Sequence, residues 1–279
     1  MHRDNEENES RYVSSFWSPA APGPPARILV LLLAVLVAAV GPMSANQVKI
    51  GIQGGLSIPN LRGGGDNVYS KGFSSRKGPY FGLFADFALS QHFWLRTEVN
   101  YASQGGKRDG VQPIFIDLPG FQMPPGLILF GDFHNETILD YIEVPVLAEV
   151  SWGQRPRLFV NLGPYVGFLV RAVTKTHGES SIFIDEARTP LLLPPYYQPL
   201  PPLSFEASTD VKEDVHDVNA GIAGGIGVAF PAGPGEIQAA FHFSVGLTTI
   251  QRDVETSGKN NTGAVVLTIG YAHNLKGNR

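Results

Sequence analysis

The 279-residue chain has no cysteine. Disulfide scaffolds, thiolate metal sites, a cysteine nucleophile and a lipid-modified N-terminal cysteine are therefore all excluded. Charge is also scarce: 16% of residues are Asp, Glu, Lys or Arg, and the formal net charge is −4. No basic field is available to hold a phosphodiester backbone, so no nucleic-acid partner is expected. Long hydrophobic runs are missing too. The longest apolar stretch is the thirteen residues ILVLLLAVLVAAV, Ile28 to Val40, whereas a spanning helix needs about 20. Gly (32) and Pro (22) are abundant instead, and both are poor in helix interiors, which argues against a helical bundle. With 43% hydrophobic residues the chain is not a disordered one.

The apolar stretch reads as a signal-peptide core. Arg27 stands before it, and Pro42, Met43, Ser44 and Ala45 follow, giving a basic flank, a greasy core of suitable length and a helix break into small residues. Residues 1–45 are expected to be an N-terminal extension and signal peptide cleaved after Ala45, with residues 46–279 as the folded domain. A helical membrane anchor is the alternative, for which thirteen residues are short.

Beyond Ala45 the hydrophobic period is two. In Gly235–Ile250, Ile237, Ala239, Phe241, Phe243, Val245 and Leu247 alternate with Gln238, Ala240, His242, Ser244, Gly246 and Thr248. Comparable alternation marks Gln47–Leu56, Tyr80–Leu89, Phe93–Ala102, Ile142–Trp152, Arg157–Arg171, Asp217–Phe230 and Gly263–Leu275. Most of these eight segments exceed the five or six residues of a soluble strand and match the roughly 9–11 of a tilted membrane strand. Their connections alternate. Ser90–His92, Gly153–Pro156 and Pro231–Pro234 are short, while Ser57–Pro79, Ser103–Thr137, Ala172–His216 and Gln251–Thr262 are long.

Such sorting predicts an all-β fold: an eight-stranded antiparallel up-and-down transmembrane barrel, with tight periplasmic turns and long external loops. One face of the segments is apolar and should meet lipid. The other collects a polar network expected in the lumen, comprising Lys49, Asp86, Arg96, Glu98, Glu143, Glu149, Arg171, Asp217 and His242, with Gln53, Asn100, Asn161, Asn219 and Gln238 among them. An apolar soluble core could not hold so many polar groups.

The stretches VKIGIQGGLSIPNL (48–61), GPYFGLFADFALSQHFWLRTEVNYASQGG (78–106), YIEVPVLAEV (141–150), LGPYVGFLV (162–170), DVNAGIAGGIGVAF (217–230), FSVGLTTI (243–250) and VVLTIGYAHNL (265–275) resemble the outer-membrane β-barrel domain of the porin family found in Bacteroidetes-type bacteria. Two features depart from a minimal member. The stretches 104–137 and 172–216 are long and Pro-rich, and Leu275-Lys-Gly-Asn-Arg replaces a terminal aromatic. The resemblance implies a barrel in the outer membrane of a Gram-negative cell but supplies no activity. Its implied partners are outer-membrane lipid, periplasmic chaperones and the barrel-insertion machinery, which would read Tyr271 or Leu275.

An eight-stranded barrel has a bore only wide enough for side chains to fill it. The expected role is therefore structural or surface-binding through external loops, without catalysis, cofactor or metal. The segment 191–205, LLLPPYYQPLPPLSF, offers Pro194, Tyr196, Tyr197, Pro201 and Phe205 as a stiff binding stretch for a partner the sequence does not name, or else as a loop folded over the barrel mouth. Three alternatives remain: a narrow porin for small solutes, a lipid-modifying enzyme using His242 and Ser244, and a soluble small-ligand barrel with an apolar interior.

Overall fold

The computed structural model describes residues 47–64, 67–114, 116, 124, 126–193 and 197–275. The expected signal segment and cleavage site lie outside them.

Eight long strands carry the fold: β1 (Val48–Gly64), β2 (Gly78–Ala88), β3 (Phe93–Ile114), β4 (Leu129–Trp152), β5 (Arg157–His177), β6 (Val218–Ala232), β7 (Gly235–Gly246) and β8 (Lys259–Leu275). Each pairs antiparallel with its chain neighbours. The ring closes where β1 meets β8, in continuous register from Val48↔Leu275 to Gly64↔Lys259. Closure leaves neither strand with an open edge there, as a backbone in hydrocarbon requires. Among the described residues, helix is confined to two 3-10 turns and the single turn Val254–Ser257, and no helix is long and apolar enough to cross a membrane.

Residues 89–92, 153–156 and 233–234 make the tight links at one end of the barrel. Gly153 (φ 78°) and Gly233 (φ 59°) take the left-handed backbone that such turns demand. Val48 and Leu275, the outer ends of β1 and β8, lie at this same end. The four long connections gather at the other.

The strand faces sort as the alternation predicts. Ile52 (62% exposed), Phe241 (58%) and Ile269 (67%) stand on the outer wall, while Asp86, Arg96 and Glu149 are 1% exposed inside. For a water-soluble carrier this sorting is inverted, so the expectation of an apolar interior fails. For a barrel in lipid it is the stable arrangement: the solvent outside is hydrocarbon, and polar side chains find partners only within.

The largest difference from the sequence reading lies in β3 and β4. Residues 103–137 were expected to form a loop, yet the ladder continues from Ser103↔Asp140 to Ile114↔Leu129. The stretch SQGGKRDGVQPI is polar and Gly-rich, so it carries no apolar period, and cross-strand hydrogen bonds hold it instead. At about 3.3 Å per residue the 24 residues of β4 extend far past a hydrocarbon layer that 9–11 residues can span. The outward apolar series ends near Tyr101 and Ile142. Above that level the same face bears Lys107, Asp109, His134 and Glu136. At the opposite extreme β7 stops at Gly246, short of the expected Ile250.

Apolar packing concentrates at the long-loop end. Leu61, Leu139, Tyr141, Leu169, Ala172, Val215 and Ile250 form one buried cluster. A second, outer one joins Ile114, Leu129, Phe133, Ile182 and Leu191.

Candidate functional site

The bore is occupied along its length by side chains that the alternation turns inward. Nearest the tight-turn end, Lys49 Nζ lies 3.0 Å from Glu236 Oε2. Arg157 donates to Glu149 Oε1 at 2.9 Å and also pairs closely with Glu236. The Trp94 ring carries both cations, Lys49 at 4.6 Å and Arg157 at 5.6 Å from its centroid.

Arg96 occupies the next layer. Its guanidinium Nε is 2.8 Å from Glu98 Oε1 and 3.5 Å from Asp86 Oδ1, contacts held by charge rather than by hydrogen-bond alignment. Nη1 reaches Glu149 at 3.4 Å and Nη2 donates to Gln238 at 2.9 Å. The Phe84 ring lies 3.9 Å away. Gln53 donates to Glu98 and Asn100, and Asn100 donates to Glu98. Five strands thus contribute to one ionic layer.

Above it, Gln104 Nε2 donates to Glu143 at 2.9 Å and reaches Ser244 Oγ at 3.4 Å. His242 Nε2 is 3.0 Å from Thr268 Oγ1. Asn219 donates to Thr262 at 2.7 Å, with the Tyr165 hydroxyl beside them. Outside the bore, on the outward face at the long-loop end, Arg76 bonds Glu136 and Ser103, and Ser103 donates to Asp140. Small residues make room for this filling: a Cβ on Gly227 would lie 2.3 Å from the Phe159 ring, and one on Gly82 would lie 2.2 Å from Asn100 Oδ1. A cavity of about 20 Å³, bounded by Tyr80, Glu98, Glu143, Leu147, His242 and Ser244, has room for roughly one water.

Of the sequence-selected lumen residues, Lys49, Asp86, Arg96, Glu98, Glu143, Glu149 and His242 lie inside. Two do not. The register of β4 and β5 shifts at Asp140/Tyr141, so that Asp140 faces Arg171 while Tyr141 faces Leu169. The bulge reverses the alternation, and Arg171 points outward, 3.6 Å from Asp140. Asp217 precedes β6 and sits on the rim, exposed and bonded to Arg252 at 2.8 Å. Sequence reasoning missed Arg157, Glu236 and Gln104; Trp94 shares the face of Arg96, Glu98 and Asn100, as the alternation predicts. The first two share parity with Asn161 and Gln238, which was the available signal. Gln104 lay beyond the visible period of its strand.

The 191–205 segment is not an extended stretch. Leu192–Leu193 pairs with Gln198–Pro199, and Leu203–Ser204 pairs with Glu179–Ser180. Phe205 stacks on Phe133 with centroids 4.4 Å apart, so it is a packing residue of the outer cluster. Tyr197 and Pro201 are exposed; Pro194 and Tyr196 fall outside the described residues. His242 and Ser244 both face the filled bore. The imidazole bonds Thr268, and the Ser244 hydroxyl meets Gln104.

A closed ring of long strands, apolar on its wall and ionic within, defines a membrane-spanning barrel of the outer-membrane kind. The chain belongs to the outer membrane protein beta-barrel domain family, whose model matches residues 41–252, and its location is the outer membrane. This agrees with the resemblance carried by the strand motifs, at the level of the barrel domain. No curated protein matches the chain. Among solved structures it is similar to Ail, the attachment invasion locus protein of Yersinia pestis (14% identity, 80% of this chain and 97% of that one, TM-score 0.34). It is also similar to OprG from Pseudomonas aeruginosa (8%, 84% and 99%, 0.36) and to the outer membrane protease OmpT from Escherichia coli (8%, 83% and 98%, 0.32). None of these likenesses bears on what this chain does.

Proposed function

We propose that this protein is a sealed structural barrel that holds an external sheet and cap at the outer surface, without conducting solutes and without catalysis. The observation that carries the reading is the Arg96 layer, where one guanidinium meets Asp86, Glu98, Glu149 and Gln238 from four strands. A narrow porin needs a continuous water path, and side chains packed around a cavity of about 20 Å³ do not supply one. A lipid-modifying enzyme needs its nucleophile at the lipid boundary, whereas His242 and Ser244 face the bore.

If the bore is closed, the surfaces left for function are those outside the membrane. There β3, β4 and β5 continue as a sheet that the short strand Ala207–Asp210 extends along β5. The cap formed around Phe133, Phe205, Ile182 and Leu191 covers its end. A long platform with a polar outer face suits contact with macromolecules or surface polysaccharide better than uptake.

Swelling of proteoliposomes in iso-osmotic urea, glycine and arabinose tests the reading. The purified barrel is expected to swell no faster than protein-free vesicles. Swelling graded by solute size would establish the porin instead.

A further inference from the structure

On the projecting sheet above the membrane, four chemistry-bearing residues stand in one transverse row. Asp109 on β3 is the register partner of His134 on β4, and His134 is the register partner of His177 on β5. Glu206, just ahead of the strand Ala207–Asp210, closes the row beside His177. Direct partners in an antiparallel ladder share a face, with Cβ atoms about 4.5–5.5 Å apart, so the two histidines are side by side on the exposed side of the sheet.

Both rings make the same use of their nitrogens. His134 bonds Asp109 Oδ1 through Nδ1, and His177 bonds Glu206 Oε1 through Nδ1. The acceptors are themselves held in place. Lys107 Nζ lies 3.3 Å from the other Asp109 oxygen. The Gly178 amide donates to Glu206 Oε1 at 3.2 Å, and the Phe205 amide is tied to Gly178 O at 2.8 Å. A neutral imidazole that donates from Nδ1 keeps its lone pair on Nε2. That is the arrangement of a metal-ligating histidine, whose second nitrogen is oriented by a carboxylate. Here it occurs twice, side by side, with the carboxylates on the two outer flanks.

We infer that His134 and His177 form a binding site for one divalent transition ion of the zinc and copper class, ligated through the two Nε2 atoms. Imidazole suits these ions, and hard oxygen-seeking ions such as magnesium and calcium would not use it. Among the described residues no three or more His, Cys, Asp or Glu side chains form a metal-holding group. With two histidine ligands, solvent completes the rest of the coordination shell. Asp109 and Glu206 act as positioning residues, fixing ring tautomer and orientation.

Isothermal titration of the refolded, detergent-solubilised barrel with zinc chloride tests the site, with magnesium chloride as the control ion. The expected result is one zinc per chain and no saturable magnesium binding. His134→Gln or His177→Gln should each abolish saturable binding. Asp109→Asn and Glu206→Gln should weaken it about 10–100-fold, the range for loss of such a partner. Heat-modified gel mobility shows independently that each variant is folded. Absence of saturable zinc binding overturns the inference, as does binding that survives both histidine substitutions. One zinc per two chains also overturns it, since the ion would then bridge copies.

Discussion

Removing the Arg96 guanidinium should destabilise the barrel through the charges it leaves behind. Arg96→Met keeps most of the volume and deletes the contacts to Asp86, Glu98, Glu149 and Gln238, along with the cation over Phe84. Arg157 still pairs with Glu149, but Asp86 and Glu98 lose their nearest cation. All these side chains are essentially inaccessible, so solvent cannot compensate. Breaking one side of a buried ion pair costs about 3–5 kcal/mol. Urea titration of the barrel in lipid vesicles, followed by tryptophan fluorescence and by loss of the compact gel band, reads the effect. With a slope of roughly 1–3 kcal/mol per molar urea, the midpoint should fall by at least about 1 M. Glu98→Gln in the Arg96→Met background should recover part of the loss, because the stranded charge rather than the missing contact dominates. An unchanged midpoint in Arg96→Met, or additive losses in the double variant, would refute the reasoning.

Three further outcomes follow from particular contacts. Gly227→Val should cost at least the roughly 1–3 kcal/mol of an overpacked core, because even its Cβ would overlap the fully buried Phe159 ring; the same urea titration measures it. Phe205→Ala should loosen the cap and leave the barrel intact, losing about 1 kcal/mol of ring stacking on Phe133 beyond the lost burial. Limited proteolysis should then cut within 178–206 sooner while heat-modified mobility persists. The Thr256 hydroxyl, then the Thr256 and Glu255 amides, hold the Asp253 carboxyl below its ordinary value. A depressed value in the folded state means that this cap stabilises the 254–257 turn above the ordinary carboxylate range of about pH 4 and is lost as pH falls through the folded value. The Glu255 and Thr256 amide resonances should report that transition, and Asp253→Ala should remove it.

The membrane-spanning part of the fold was legible because two requirements coincide there: hydrocarbon outside and pairing inside impose a period of two on every strand. The same rule identified seven of the nine lumen residues first selected. It failed at Arg171, where a bulge in the β4–β5 ladder shifts parity by one, an irregularity that leaves no mark in a single sequence. It failed at Asp217 because the strand begins one residue later, at Val218. Above the membrane the outer face meets water and the inner face is covered through only a few apolar residues, Ile114, Leu129 and Phe133, so 103–114 and 129–137 read as loop although they form a ladder. The His134–His177 neighbourhood was invisible for the same reason: the residues are distant in sequence, and only the register brings them opposite each other. The Pro-rich segment read as stiff folds into short pairings because Leu191 is buried, and Leu193, Leu200, Leu203 and Phe205 partly so, in the cluster with Phe133 and Ile182.

Single-channel recording in planar bilayers tests the sealed bore most directly. On the proposed reading, the wild-type barrel should insert without discrete conductance steps in 1 M potassium chloride, because the ionic side chains around Arg96 would leave no ion path. Reproducible steps of uniform size, present in the wild type and enlarged by Arg96→Ser, would contradict the account and make this barrel a pore.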